Sequence, residues 1–150
     1  MKKIVTCLIL LIVTQLVCAQ DNIEMLMWET DFELAKSKSQ KTKKPILMLF
    51  TGSDWCAPCK MLKTNFFDSP EFIKISSHFI MLIVDFPKDK ALITQEQKKL
   101  NTLLSAKYGV KSYPTLIAIN YNGAIIDKIK SYTSVRDTAY YFSFIDKLIR

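Results

Sequence analysis

Apolar residues recur in the first third of the chain with the spacing of one helix and then of one strand. A helix is predicted from Thr30, because Thr30 and Glu33 have the spacing of a capping box. Its apolar contacts would come from Phe32, Leu34 and Ala35. The apolar run from Pro45 to Thr51 then predicts a strand, which the turn-forming residues 52–54 end.

A second helix is predicted after this strand, and a second strand follows it. The helical apolar positions are Met61, Leu62, Phe66 and Phe67, and a break is expected near Asp68. Ser69 and Pro70 can restart the helix as its cap and first residue and carry it to about Ser77. The near-continuous apolar run from Phe79 to Phe86 suits a central strand that is covered on both faces.

The last third of the chain predicts a helix, a hairpin and a final helix. Thr94 and Gln97 again have capping-box spacing, and Gly109 would close that helix. Its buried stripe is predicted to be Leu100, Leu103, Leu104 and Tyr108. Strands over 115–120 and 124–130 flank a turn that contains Asn-Gly, which favours an antiparallel hairpin. Ser134 would cap a final helix with the stripe Val135, Ala139, Phe142, Ile145, Leu148 and Ile149.

This order of elements predicts an α/β domain with a mixed sheet. Strands separated by helices favour parallel pairing, and the hairpin near the end of the chain favours an antiparallel edge. Helices are expected on both faces of the sheet. No internal repeat or low-complexity segment indicates a second domain.

The first nineteen residues have the pattern of a secretory signal peptide. Met1-Lys2-Lys3 is basic, Ile4 to Val17 is almost wholly apolar, and Val17-Cys18-Ala19 fits the small-residue cleavage pattern. We therefore expect residues 1–19 to be removed and residues 20–150 to form one exported domain. Acylation of Cys18 as a lipoprotein terminus is the less favoured alternative, because Val17 is not a small residue.

The charge of the chain is basic, but its lysines do not indicate a nucleic-acid partner. The full chain carries a formal charge of +7, and removal of residues 1–19 leaves 19 basic against 14 acidic residues, a net charge of +5. The lysines of residues 36–44 are not interleaved with the aromatic residues that nucleic-acid platforms use. We expect a solvated helix face there.

The cysteines carry the strongest chemical signal in the sequence. Of the four cysteines in the chain, only Cys56 and Cys59 remain after cleavage, at CxxC spacing after the first strand. A helix that begins at Cys56 would favour its thiolate, and Cys59 could then resolve a mixed disulfide. Zinc would need about four ligands, and only His78 could be added to the two thiols. Haem attachment is excluded because Lys60, not histidine, follows Cys59.

The chain is identified as a member of the thioredoxin superfamily on three separate features. These are WCAPCK at residues 55–60, YGVKSYPT at residues 108–115, and the hairpin and helix near the end of the chain. Together they cover roughly residues 28 to 149. The stretch from Trp28 through PILMLFTGSDWCAPCK is most similar to exported thioredoxin-like proteins related to the C-terminal domain of the disulfide reductase DsbD.

The resemblance implies roles for three residues besides the cysteines. Pro114 would form a cis peptide bond and pack against the CxxC, and Tyr113 would offer its backbone to an extended substrate segment. Trp55 would shape the substrate-facing rim. Thioredoxins usually carry a buried acid in the strand before the CxxC, and we expect Leu49 to take that place here. We expect Asp54 to cap the helix that follows, and we assign no proton-transfer role to it or to Asp85.

The function that the resemblance and the dithiol imply is thiol-disulfide exchange, with the Cys56–Cys59 disulfide as the only redox group and no bound cofactor or metal. Ala57-Pro58 between the cysteines resembles the reducing members of the family, so protein disulfides are the expected substrates. Isomerase or oxidase activity, or a non-catalytic binding module on the same fold, remains an alternative. We expect a monomer in the periplasm or cell envelope, with a membrane thiol reductase as electron donor.

Overall fold

The computed structural model describes residues 26–133 and 137–149. Its helices are α1 (Phe32–Thr42), α2 (Ala57–Leu62), α3 (Pro70–Ser76), α4 (Gln95–Lys107) and α5 (Thr138–Ile149). Its strands are β1 (Ile46–Thr51), β2 (Ile80–Asp85), β3 (Thr115–Ile119) and β4 (Ile125–Lys130). A π-helical turn, Lys63–Phe67, continues α2. The predicted signal peptide and the predicted cap Ser134 lie outside the described residues.

The strands form one mixed sheet in the order β2-β1-β3-β4. β1 is parallel to β2 and antiparallel to β3, and β3 and β4 form the antiparallel hairpin. Beyond β2, the backbone of Glu29 exchanges hydrogen bonds with Met81 and Ile83, so a short preceding segment covers part of that sheet edge. The predicted fold class, a mixed sheet with helices on both faces, is confirmed.

Side chains of β1 alternate between two cores, one on each face of the sheet. Leu47 and Leu49 face the first core, in which α2, α3 and α5 pack, and their neighbours there include Phe66, Phe72 and Tyr141. Ile46, Met48 and Phe50 face the second core, with Ala35 of α1 and Leu104 of α4. Complete burial of β1 on both faces explains why its sequence reads as a continuous apolar run.

The caps predicted for α3 and α4 are confirmed, and the cap predicted for α1 is wrong. Ser69 accepts the backbone N–H of Phe72 at α3, and Thr94 accepts that of Gln97 at α4. At α1 the cap is Asp31 and not Thr30, because the Asp31 carboxylate accepts the N–H groups of both following turn residues, Glu33 and Leu34. An ionised side chain forms stronger hydrogen bonds there than a hydroxyl group would.

Two predicted apolar stripes are wrong in part. In α4, Leu104 is buried, but Leu100 and Leu103 are 44% and 58% exposed, because the sheet is covered only by the side of α4 that carries Leu104 and the neighbouring Tyr108. In α5 the buried positions are Tyr141, Phe144 and Ile145, whereas Ala139 and Ile149 face solvent. No helix among the described residues is both long and apolar enough to cross a membrane.

Candidate active site

The CxxC lies where β1 ends and α2 begins. The chain turns at residues 52–55, with the N–H of Cys56 donating to the carbonyl oxygen of Gly52, and Cys56 is the N-cap residue of α2. Cys56 and Cys59 form a disulfide with 2.01 Å between the sulfur atoms. The backbone N–H of Cys59 donates to Cys56 Sγ at 3.3 Å. Cys56 therefore faces an amide donor that favours negative charge on its sulfur.

Pro114 and Tyr113 lie beside this turn. The peptide bond between them is cis, and Pro114 is buried immediately before β3. Thr115 pairs with Phe50 in the antiparallel register of β1 and β3, so Pro114 is placed next to the end of β1, from which the CxxC turn leaves. The two segments quoted for the resemblance, far apart in sequence, thus meet at one end of the sheet.

Three aromatic side chains from three segments form an aromatic wall at this end of the sheet: Trp55, Phe86 and Tyr113. Trp55 is 41% exposed, and its ring meets that of Tyr113 edge to face at a centroid distance of 6.0 Å. Phe86 stacks on Tyr113 at 5.3 Å. The indole N–H of Trp55 donates to the carbonyl oxygen of Phe86 at 2.8 Å. Sequence reasoning missed Phe86, whose only signal was its position at the end of the second strand.

Gly52 is required by the position of the Trp55 ring. A Cβ atom built on Gly52 would lie 2.4 to 2.7 Å from three atoms of the indole, well inside van der Waals contact. Any larger residue at this position must displace the ring. The turn therefore needs glycine for space, and the indole of Trp55 lies directly over its backbone.

Asp54 does not cap α2, so the sequence prediction for this residue is wrong. Its carboxylate accepts the backbone N–H groups of Lys88 at 3.0 and 2.9 Å and of Asp89 at 2.8 Å. The N-cap position belongs to Cys56, and the Asp54 side chain turns towards the loop after β2. The hydrogen bond from Asp89 is the main cause that lowers the pKa of Asp54, followed by that from Lys88, with the charge of Lys60 contributing less and partial burial acting against them.

Beside Cys59 lies a small cavity of about 60 Å³. Its lining residues are Leu49, Thr51, Ser53, Cys59, Lys60, Lys63 and Ile83, and no acidic side chain is among them. Asp85, the other acid considered from the sequence, accepts hydrogen bonds from the backbone N–H and the hydroxyl of Ser53. Leu49 and Cys59 both line this cavity, and the correspondence of Leu49 to the buried acid of thioredoxins stays a prediction.

A model of the thioredoxin-like domain family matches residues 32–144 of the chain. That range contains β1 to β4, the CxxC, the aromatic wall and Pro114. The chain therefore belongs to the thioredoxin superfamily. The narrower likeness to the C-terminal domain of DsbD stays a prediction.

Two proteins of Chlamydia pneumoniae are similar to this chain. The disulfide bond reductase DsbH is 38% identical over 99 residues, which are 65% of this chain and 58% of that relative. The thioredoxin-related protein DsbJ is 28% identical over 134 residues, which are 88% of this chain and 38% of that relative. The chain thus covers less than two thirds of the length of each of these two relatives.

Among solved structures, a DsbH oxidoreductase is similar over 82% of this chain and 83% of its own, with a TM-score of 0.72 and 31% identity. A thioredoxin from Thermus thermophilus has a TM-score of 0.58 at 17% identity over 83% of this chain and 87% of its own, which shows the shared fold alone.

Proposed function

We propose that this protein is a thiol-disulfide oxidoreductase that reduces disulfides of other proteins in the bacterial cell envelope. The observation that carries the proposal is the Cys56–Cys59 disulfide at the start of α2, where the Cys59 N–H is directed at Cys56 Sγ. The two relatives and the solved structure that carry Dsb names support it, one of them as a disulfide bond reductase.

The proposed reaction begins with the reduced pair. The Cys56 thiolate attacks one sulfur of a substrate disulfide, forms a mixed disulfide and releases the other substrate sulfur as a thiolate. Cys59, once it has lost its proton to water, attacks the Cys56 sulfur and releases the second substrate thiolate. Two electrons have then passed to the substrate, and the Cys56–Cys59 disulfide has formed. A dithiol donor must reduce that disulfide before the next cycle.

The surroundings of the two cysteines require that a substrate binds before it can react. Cys56 is 5% and Cys59 3% exposed in the disulfide form, so a substrate has to dock closely before exchange. We assign substrate binding to Trp55, Tyr113 and Pro114. The first two belong to the aromatic wall, and the backbone of Tyr113 would pair with an extended substrate segment.

Reduction is the direction we propose, for two reasons. The residues between the cysteines, Ala57 and Pro58, include no histidine that would further stabilise the Cys56 thiolate and make the pair a strong oxidant. The relative DsbH is also described as a reductase. In this proposal the protein is an exported monomer, and a membrane thiol reductase supplies its electrons.

Trapping of the mixed disulfide tests the proposal. Cys59→Ser should accumulate covalent adducts on Cys56 that dithiothreitol releases and mass spectrometry identifies, whereas Cys56→Ser should trap none. The wild-type protein should accelerate the reduction of insulin by dithiothreitol, and Cys56→Ser should not. Equal insulin-reduction rates for the two proteins would overturn the proposal and favour a binding module. Accelerated refolding of a scrambled disulfide protein without net reduction would instead indicate an isomerase.

A further inference from the structure

The loop that follows β2 is fixed to the CxxC turn at two points. The Asp54 carboxylate binds the backbone N–H groups of Lys88 and Asp89, and the Trp55 indole N–H binds the carbonyl oxygen of Phe86. The CxxC turn donates one of these hydrogen bonds, and the loop donates the others. The backbone from Phe86 to Asp89 is therefore held at a defined position beside the residue that precedes Cys56.

The side chain of Lys88, in this loop, lies over the ring of Trp55, to which we assign substrate binding. Its backbone is held by Asp54, and its ammonium nitrogen lies 5.3 Å from the centroid of the Trp55 ring. That distance is within the range of a cation–π contact. Lys88 is exposed, and Trp55 is partly so, which leaves the ammonium group accessible to a segment docked on the aromatic wall.

The carboxylates around Lys88 are already engaged with other donors. Asp54 accepts backbone N–H groups, Asp85 accepts from Ser53, and Asp89 accepts the backbone N–H of Ala91. Within the described residues, the ion pairs are Lys38 with Glu29 and Lys63 with Asp68. The ammonium group of Lys88 belongs to neither of these ion pairs. It is thus a positive charge that lies against the ring of Trp55 at the aromatic wall.

We propose that Lys88 is a specificity-determining residue that favours substrate segments with an aspartate or glutamate close to the attacked cysteine. The inference rests on the proposed function, since it names which protein disulfides that reaction prefers. A carboxylate on a segment docked against Trp55 would lie near the Lys88 ammonium while the substrate sulfur meets Cys56.

The expected preference follows from Coulomb's law at an exposed site. One attractive pair about 6 Å apart in water changes an equilibrium about threefold, and one repulsive pair changes it by the same factor in the other direction. At low salt, Lys88 should therefore raise the ratio of the reduction rate of an acidic substrate to that of a basic substrate about tenfold. Because the site is exposed, the contribution should shrink towards unity at about 1 M salt.

Disulfide-linked peptide dimers provide the test. Three peptides of equal length carry Asp, Ser or Lys on both sides of one cysteine, and their single-turnover reduction by reduced protein is measured as a second-order rate constant. Dithiothreitol as reductant corrects for the intrinsic reactivity of each peptide.

The variants are Lys88→Gln and Lys88→Glu. Lys74→Gln is the matched control. Lys74 is an exposed lysine of α3, and α3 leads to the start of β2, which lies at the end of the sheet opposite the CxxC.

The proposal expects the Asp-to-Lys rate ratio to fall about tenfold in Lys88→Gln and about tenfold more in Lys88→Glu. Lys74→Gln should keep the wild-type ratio. An unchanged ratio in both Lys88 variants would overturn the inference while leaving the proposed reaction in place. Failure of the wild-type protein to reduce the serine peptide would count against the proposed function itself, and the two failures are thus distinguishable.

Discussion

Substitution of Gly52 by alanine should destabilise the fold by displacing Trp55. The new Cβ atom would lie 2.4 Å from the indole ring, so the ring has to turn away from the CxxC turn. It would then lose its hydrogen bond to the Phe86 carbonyl and its edge-to-face contact with Tyr113. Its contact with the Lys88 ammonium group would be lost as well.

The size of this effect follows from the lost contacts. The hydrogen bond contributes about 1 kcal/mol, the aromatic contact about 0.5 to 1.5 kcal/mol, and the exposed cation–π contact about 0.5 kcal/mol. Because Trp55 is 41% exposed and its N–H can bind water once the ring has turned, we expect a loss at the lower end, about 2 kcal/mol in the free energy of unfolding. In a domain of this size, that corresponds to roughly 6 °C in Tm.

Urea unfolding of the oxidised protein measures this loss, and a double-mutant cycle assigns its cause. In a Trp55→Ala background there is no ring to displace, so Gly52→Ala should cost less than about 0.5 kcal/mol. Exchange of the Trp55 indole proton, followed by NMR, should be faster in Gly52→Ala than in the wild type. Equal costs of Gly52→Ala in both backgrounds would refute the reasoning and place the effect in the backbone.

Two further predictions concern buried polar side chains. Tyr141→Phe should lower the free energy of unfolding at pH 7 by about 1 kcal/mol, because the Tyr141 hydroxyl donates to the Ser131 carbonyl oxygen at 2.6 Å. Burial raises the pKa of Tyr141, so the folded state keeps that proton after the unfolded chain has lost it, and wild-type stability should fall above about pH 10. Urea titrations at pH 7 and pH 11 should therefore show a smaller difference between the two proteins at pH 11; a constant difference would contradict this. Asn101→Leu should cost about 1 to 3 kcal/mol, because the buried Asn101 amide donates to the Asp85 carbonyl oxygen at 2.7 Å. Exposed Thr102→Ala is the control in the same thermal unfolding assay, and equal Tm values for both variants would count against the prediction.

The features that the sequence predicted well depend on neighbours a few residues away. Ser69 and Thr94 cap helices that begin beside them, and a cap of this kind can be recognised from spacing alone. The completely buried β1 was recognisable because both of its faces are apolar. The CxxC could be placed at the start of α2 for the same local reason.

The features that were missed depend on partners distant in the chain. Asp54 is a good cap residue next to α2, but it binds the backbone of a loop more than thirty positions later, and no local pattern indicates that choice. Leu100 and Leu103 have helical spacing, yet the side of α4 that covers the sheet carries Leu104 and leaves them at the surface. The place of Phe86 in the aromatic wall likewise follows from the register of β1 with β2 and β3, which the sequence alone does not specify.

The two outer strands of the sheet differ in how they resist strand addition. At β2, the backbone of Glu29 already occupies hydrogen-bonding groups that an incoming chain would need. β4 has no such cover within the described residues, but it carries Asp127, Lys128 and Lys130, and charged side chains at an edge oppose pairing with another chain. Under the proposed function, these protected edges would keep the protein from pairing through its sheet with the extended substrate segments that it reduces.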